Sequence, residues 1–159
     1  MKHLELFAGI GGFRRAMDLL TKDNVMEFHC VGYSEIDIKA ELTYRANYNI
    51  DENEFVLGDI VAFTGNKKNI KSLPKFDLLT GGFPCQTFSM MGSQAGFEED
   101  RGQMFFRIMD ILAIKKPKYV LLENVKNLRN HDKGRTFNRI KHELESIGYR
   151  VYADIFNTS

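Results

Sequence analysis

The apolar positions of the chain switch repeatedly between strand-like runs and helix-like spacing. Residues 4–7 form the first strand-like run, and then Phe13, Ala16, Met17 and Leu20 recur at the i, i+3, i+4, i+7 spacing of a buried helix face. The same patterns predict further strands at residues 30–33, 55–57, 76–80, 119–122 and 149–156, and further helices at residues 37–47, 102–115 and about 137–147. This alternation predicts an α/β fold with a doubly wound, mostly parallel sheet.

Two stretches show neither period. Residues 67–75 contain four lysines, and we predict a solvated loop there. Residues 83–100 combine Gly, Ser, Gln and acidic residues without periodicity, which predicts a long mobile loop. Loops of this length are uncommon in compact domains and usually have a function.

Length and composition restrict the class of protein. With 159 residues and 43% hydrophobic content, the chain fits one domain, residues 1–159. It contains neither a membrane-spanning run nor a signal peptide, so we expect a cytoplasmic protein without a membrane partner. The net charge of +1 does not favour tight nucleic-acid binding by this segment alone. The two cysteines and four histidines lack metal-ligand spacing, so we predict free thiols and no metal.

The turn after the first strand is rich in glycine. Its sequence is Phe7-Ala8-Gly9-Ile10-Gly11-Gly12, in which backbone without side chains lies next to the amide groups of a helix start. Such a turn suits a nucleotide-like cofactor. Tight packing of the helix on the strand explains it equally well.

Acidic residues follow the next two predicted strands. Glu35 lies 24 residues after Gly11, near the distance at which an acid reaches ribose hydroxyls in such folds, and Asp59 ends the third strand. The structural alternative makes Glu35 or Asp37 a helix cap and Asp59 a turn residue. Because three successive strand ends carry such groups, we favour a ligand site at that edge of the sheet.

The fourth and fifth strands end in groups with catalytic potential. Cys85 follows Gly-Gly and Pro84, which present the thiol at the cleft, and we interpret it as a nucleophile. Cys30 lies inside a strand and is expected to be a core residue. Glu123 ends the fifth strand, where a carboxyl group shielded from water could donate a proton; a capping or salt-bridged glutamate is the alternative. A Cys-His hydrolase would need His131 at the cleft.

Read together and in order, these motifs resemble those of the DNA cytosine-5 methyltransferase family. Beside the glycine turn, the resemblance rests on Glu35, Gly58-Asp59-Ile60, Pro84-Cys85-Gln86 and Glu123-Asn124-Val125. The last two motifs are highly specific as a pair. The resemblance covers essentially the whole chain and implies a Rossmann-like methyltransferase fold.

The resemblance implies a site for S-adenosylmethionine, released as S-adenosylhomocysteine, and no metal. Phe7 would pack on the adenine, Gly9 and Gly11 would admit the methionine portion, and Glu35 would hold the ribose hydroxyls. The other implied cofactor residues complete the turn or bracket the adenine: Ala8, Gly12, Ile36, Asp59, Ile60 and Pro84. The position of Ile36 is often aromatic in the family, so we expect a less well stacked adenine here.

The resemblance also implies the chemistry. Cys85 would add to carbon 6 of a cytosine turned out of the helix, and Glu123 would hydrogen-bond the ring at N3. The methyl group then reaches carbon 5, and loss of the proton there expels the cysteine. Residues 86–100 would close over the site, and Arg101 would contact the substrate or position the thiol.

The chain ends before the Gln-x-Arg-x-Arg element and the target-recognition region of the family. We therefore expect a carboxyl-terminal truncation, double-stranded DNA bound through the missing part, and little or no activity from these 159 residues alone. The expected role is bacterial or phage restriction-modification or DNA protection. A cofactor-binding subunit of a split enzyme completed by a second chain, and an RNA cytosine-5 methyltransferase, stay open as alternatives.

Overall fold

A computed structural model describes residues 1–84 and 104–156. Five parallel strands form one sheet in the order β3-β2-β1-β4-β5. They are β1 (Lys2–Leu6), β2 (His29–Tyr33), β3 (Phe55–Val56), β4 (Leu78–Gly82) and β5 (Tyr119–Glu123). Strands β2 and β3 extend the sheet to one side of β1, and β4 and β5 extend it to the other side. Ligands bind near such a switch point, here between β1 and β4, in doubly wound sheets. The predicted fold class is confirmed.

Six α-helices occur in the described ranges. They are α1 (Gly12–Lys22), α2 (Ile38–Asn47), α3 (Ile60–Thr64), α4 (Lys67–Ser72), α5 (Met104–Lys115) and α6 (Arg135–Ser146). Two short 3-10 turns, Lys126–Arg129 and His131–Gly134, lead from β5 to α6. None of the helices in the described ranges is long and apolar enough to cross a membrane.

The main core lies on one face of the sheet, between β1, β4 and α5. Leu4, Leu6 and Leu79 are fully buried there. The predicted apolar face of α5 is confirmed except at one position, because Phe105 is buried there and Met104 is half-buried. The buried apolar residues of α5 are Phe105, Ile108, Ile111 and Leu112. Burying each such side chain is worth about 1.5–3 kcal/mol, so the four together contribute strongly to the hydrophobic stabilisation of the main core.

Helix α4 contradicts the prediction of a lysine-rich loop. Asn66 begins the helix by accepting a 3.0 Å hydrogen bond from the backbone N–H of Lys68. Ile70 is fully buried, whereas Lys67, Lys68 and Lys71 lie exposed. The lysines are solvated as predicted, but they lie on a helix. Because α4 has only six residues, it is too short to show a helical period in the sequence.

The predicted strand at residues 149–156 is wrong, since these described residues belong to no strand. The Tyr149 hydroxyl donates a 2.7 Å hydrogen bond to the carbonyl of Pro117, and Val151 packs against the main core. Phe156, at the end of the segment, is 87% exposed. An alternating pattern reports which side chains are apolar, but a strand also needs a neighbouring strand for its backbone hydrogen bonds.

Candidate active site

A cavity of about 250 Å³ lies at the carboxyl ends of β1 to β4. Its volume is near the lower end of small-molecule sites, roughly 300–1,000 Å³. Its wall consists of residues that directly follow the strands, and of the first residue of α5: Phe7, Ser34, Glu35, Ile36, Gly58, Asp59, Ile60, Pro84 and Met104. Six residues predicted to bind a cofactor are therefore brought together here: Phe7, Glu35, Ile36, Asp59, Ile60 and Pro84.

Phe7 joins the cavity wall with a left-handed backbone. Its φ is 54°, a conformation that costs a residue with a side chain about 1–3 kcal/mol. Ser34 stabilises this turn, because its hydroxyl accepts a 3.1 Å hydrogen bond from the Phe7 N–H and its carbonyl accepts one of 2.9 Å from the Ala8 N–H. Ser34 is buried and was not predicted as a site residue. Its only signal in the sequence is its position directly before Glu35.

The Glu35 carboxylate accepts three backbone hydrogen bonds. Oε2 accepts from the Gly9 N–H at 2.6 Å, and Oε1 accepts from the N–H groups of Ile36 and Asp37 at 2.8 and 2.7 Å. Glu35 thus connects the glycine turn after β1 to the start of α2. Because a carboxylate has about four acceptor sites, roughly one is left on Oε2 for a ligand hydroxyl.

Two aspartates cap helices in the same way. Asp59 accepts a 2.8 Å hydrogen bond from the Val61 N–H at the start of α3, and Asp37 accepts one of 2.8 Å from the Ala40 N–H at the start of α2. The capping alternative therefore applies to Asp37, whereas Asp59, for which a turn was the alternative, caps α3. Of the two, Asp59 also borders the cavity, and it is exposed to solvent there.

The apolar residues of the cavity wall differ in how deeply they are buried. Ile60 is buried, whereas Ile36 is 71% exposed at the cavity rim. Met104, which was predicted as a helix-face residue and not as a site residue, is half-buried on the α5 side. Gly58, named in the sequence motif but not as a site residue, has a φ of 61° just before Asp59.

The glycine turn borders the cavity but its residues after Phe7 do not line it. Gly9 and Gly12 have open space where a side chain would begin, which leaves room for a ligand. At Gly11, by contrast, a Cβ would lie 2.2 Å from the ring of Tyr48. Ala8 is buried in the smaller apolar cluster of the protein. The packing alternative therefore applies to Gly11 and Ala8.

The ends of β4 and β5 bring a carboxylate and an amide together. Gly82 pairs with Glu123, and a Cβ at Gly82 would come within 3.2 Å of the Glu123 Oε2. The missing side chain lets this carboxylate lie beside the strand end, where it is exposed among the described residues. Asn124 Nδ2 donates a 2.6 Å hydrogen bond to the carbonyl of Phe83. Asn124 therefore fixes the backbone that leads to Pro84.

The predicted nucleophile Cys85, the predicted loop at residues 86–100 and Arg101 lie outside the described residues. Cys30 is half-buried in β2, with its thiol 3.5 Å from the carbonyl of Gly32. Burial raises the pKa of this thiol to about 12. Because the thiolate is the reactive form, Cys30 is a poor nucleophile. Contrary to the prediction, it is half-buried and not fully in the core, since it belongs to neither apolar cluster of the described residues.

Known proteins resemble the chain over nearly all of its length. The family described as C-5 cytosine-specific DNA methylase matches residues 1–159. The orphan methyltransferase M.Rho11sI of Bacillus phage rho11s is 42% identical over 158 residues, which are 99% of this chain and 29% of that protein. The type II methyltransferase M.SsoII of Shigella sonnei is 46% identical over 153 residues, which are 96% of this chain and 37% of that protein. The chain thus spans well under half the length of these relatives.

A solved structure supports the fold. The crystal structure of a Spodoptera frugiperda DNMT2 mutant matches with a TM-score of 0.58 and 24% identity, over 92% of this chain and 41% of that one. At that identity the likeness concerns the fold alone, and it agrees with the parallel sheet described above. The family match extends over every residue and includes the strand-end motifs around the cavity. The chain belongs to the C-5 cytosine-specific DNA methylase family.

Proposed function

We propose that the cavity binds S-adenosylmethionine and that the protein methylates carbon 5 of cytosine in DNA. The observation that carries this proposal is that Phe7, Glu35, Asp59 and Pro84, from four different strand ends, surround one cavity beside the glycine turn. Family membership supports the class of reaction. S-adenosylmethionine supplies an electrophilic methyl group, which is bonded to its sulfonium sulfur.

The cavity residues suit the parts of this cofactor. Phe7 and Ile60 offer apolar contacts to an adenine ring, and the exposed carboxylate of Asp59 is an acceptor for the adenine amino group. The remaining acceptor site on Glu35 fits a ribose hydroxyl. The methionine portion would extend toward Gly9, where no side chain occupies the space.

The catalytic proposal rests on the two strand ends next to the cavity. The Cys85 thiolate would form a bond to carbon 6 of cytosine, which makes carbon 5 nucleophilic toward the methyl group. Carbon 5 would form a bond to the methyl group while the bond between that group and the sulfonium sulfur breaks. Loss of the carbon 5 proton to solvent would then break the bond between the Cys85 sulfur and carbon 6 and restore the thiolate. Glu123 would hydrogen-bond N3, and Arg101 would position the reacting groups. Asn124 would contribute by holding the backbone before Pro84.

Double-stranded DNA is the proposed substrate. Since both faces of the cytosine ring must be reached, the base would be turned out of the stack into the site. Because the net charge is only +1, most DNA contacts would come from regions that correspond to the unmatched parts of the relatives. By analogy with the type II and orphan enzymes above, the protein would act in the cytoplasm, in restriction-modification or DNA protection.

The two capping aspartates provide a matched test of the cofactor site. Asparagine caps a helix as well as aspartate does, so Asp59→Asn and Asp37→Asn should both preserve the fold. Asp59→Asn should weaken S-adenosylmethionine binding by about 10-fold to 100-fold, the usual loss for a hydrogen bond to a charged group, whereas Asp37→Asn should change it by less than about 2-fold. Isothermal titration calorimetry of the 159-residue chain measures both. No binding by the wild-type chain, or equal losses in the two variants, would contradict the proposal.

The two cysteines provide a matched test of the chemistry. A chimera in which this chain replaces the matching part of M.SsoII should form a stable covalent adduct with duplex DNA containing 5-fluorocytosine, because fluorine blocks the last elimination step. Cys30→Ser should retain the adduct and Cys85→Ser should abolish it. Mass spectrometry of the cysteine peptides gives the readout. A chimera that binds S-adenosylmethionine but traps no DNA, or traps only RNA, would refute DNA cytosine methylation.

A further inference from the structure

The outer side of the glycine turn, away from the cavity, is covered by Tyr48. Its hydroxyl donates a 2.7 Å hydrogen bond to the carbonyl of Gly11. Its ring lies so close that a Cβ built on Gly11 would be 2.2 Å from Cε2, and Gly11 itself has a φ of 92°. The carbonyl also accepts a 2.9 Å hydrogen bond from the Arg15 N–H of α1, so Tyr48 adds a second, lateral constraint on this carbonyl and on the path of the turn.

Tyr48 is itself held in place by a buried charge. The Arg14 guanidinium lies 5.1 Å from the centre of the Tyr48 ring and 5.5 Å from that of Tyr44, within the range of cation–π attraction. Two hydrogen bonds of 2.8 and 2.9 Å from Arg14 to the Glu54 carboxylate, and one of 3.2 Å to the carbonyl of Asn49, fix the guanidinium. The ring is thus supported by groups that do not line the cavity.

The turn is consequently fixed from two sides. On the cavity side, the Gly9 N–H donates to Glu35, and on the outer side Tyr48 binds the Gly11 carbonyl. A ribose hydroxyl that bonds to Glu35 would share Oε2 with the Gly9 N–H, because that oxygen can accept two hydrogen bonds. The contact of Tyr48 with the turn does not involve this oxygen, and Tyr48 is not among the cavity residues.

We propose that Tyr48 is a positioning residue that keeps the glycine turn in the conformation that receives the cofactor. The inference rests on the proposed function, because it assumes that the turn faces S-adenosylmethionine. Tyr48 would act through the backbone of Gly11 and would not touch the cofactor. Such preorganisation raises affinity because the turn does not have to be ordered on binding.

Two single-hydroxyl deletions in the same aromatic cluster test the role of Tyr48. Tyr48→Phe removes the hydrogen bond to Gly11, whereas Tyr44→Phe removes a hydroxyl that contacts Arg14 and Glu5 and not the turn. Hydrogen exchange of the 9–12 amides should accelerate by about 2-fold to 10-fold in Tyr48→Phe, the range for one neutral hydrogen bond, and stay near the wild-type rate in Tyr44→Phe. S-adenosylmethionine affinity should fall by a similar factor in Tyr48→Phe alone.

The two readouts separate the two proposals. Equal exchange of the turn in both variants would overturn the positioning role, whatever the affinities are. Faster exchange in Tyr48→Phe without loss of affinity would also overturn it, since the turn would then not matter for binding. A wild-type chain that binds no S-adenosylmethionine would refute the proposed function itself, while a lower melting temperature without either effect would make Tyr48 merely structural.

Discussion

The two faces of the sheet around β1 are built from opposite kinds of side chain. Leu4 and Leu6 join the main apolar core under α5. His3 and Glu5 alternate with them on the other face and are equally buried, at 1% and 0% exposure. Strands of a parallel sheet are usually apolar on both faces, so the polar face of β1 departs from the rule.

The polar face of β1 fixes the orientation of α1, whereas an apolar core does not impose one orientation. Glu5 accepts hydrogen bonds from the Arg14 N–H at 3.3 Å and from the Tyr44 hydroxyl at 3.2 Å. Arg14 in turn pairs with Glu54 at 2.8 Å and supports Tyr48. Hydrophobic burial is non-directional, whereas hydrogen bonds weaken steeply when they are misaligned. The apolar face therefore stabilises the sheet, and the polar face sets the position of α1.

Removing one residue from each face should have the largest effect. Arg14→Ala would leave Glu54, whose side chain is 5% exposed, as a buried charge without its partner, and should destabilise the protein by about 3–5 kcal/mol. Leu79→Ala would leave a cavity in the main core and should cost about 2–5 kcal/mol. Urea unfolding followed by circular dichroism gives both free energies of unfolding.

A second substitution shows that the two losses have different causes. The double variant with Arg14→Met and Glu54→Leu removes both charges. It should regain most of the stability that Arg14→Ala loses, because apolar groups often replace a buried ion pair without loss. Adding Glu54→Leu to Leu79→Ala should deepen the loss, since Arg14 then stays unpaired. A cost below about 1 kcal/mol for Arg14→Ala would mean that the ion pair does not hold the polar face together.

Sequence periodicity was sufficient for the fold where elements are long and have one apolar face. The buried face of α5 with Ile108, Ile111 and Leu112 is an example. It failed at residues 67–75, because the short helix α4 buries a single residue, Ile70, and at residues 149–156, where alternation occurs without a paired neighbour. The local pattern of apolar residues indicates which side chains are buried, but it does not indicate which helix or strand they pack against.

The candidate site shows the same limit. Residues at strand ends, such as Glu35 and Asp59, could be predicted because parallel strands end at one edge of the sheet. The contacts that support the glycine turn beside the cavity come from distant positions: Tyr48 lies 37 residues from Gly11, and Glu54 lies 40 residues from Arg14. No spacing in the sequence specifies which acid meets which base. Residues that line the cavity were therefore easier to predict than the residues that support the neighbouring turn.

The smallest expected effect concerns the pH dependence of the polar face. Burial, with Arg14 nearby, lowers the pKa of His3 from 6.5 to about 4, while its Nε2 stays 2.6 Å from the Thr80 hydroxyl. Burial raises the pKa of Glu5 from 4.5 to about 7, although its hydrogen bonds from Arg14 and Tyr44 oppose the rise. Both groups are therefore neutral in the folded protein near pH 5.5 and charged in the unfolded chain.

The two groups should change stability in opposite directions over the same pH range. As pH falls from 6.5 toward 4, the unfolded chain gains a proton on His3, so stability is lost; as pH rises from 4.5 toward 7, the unfolded chain loses one from Glu5, so stability is also lost. In the wild type these two pH dependences of the free energy of unfolding largely cancel.

His3→Gln should leave only the pH dependence from Glu5, so the free energy of unfolding should fall relative to wild type by about 1 kcal/mol per pH unit as pH rises. Glu5→Gln should show the reverse slope, in urea unfolding between pH 4.5 and 6.5. Leu79→Ala is the control, because an apolar deletion should shift stability equally at every pH. Parallel profiles for all three variants would mean that the polar face does not titrate as a buried pair.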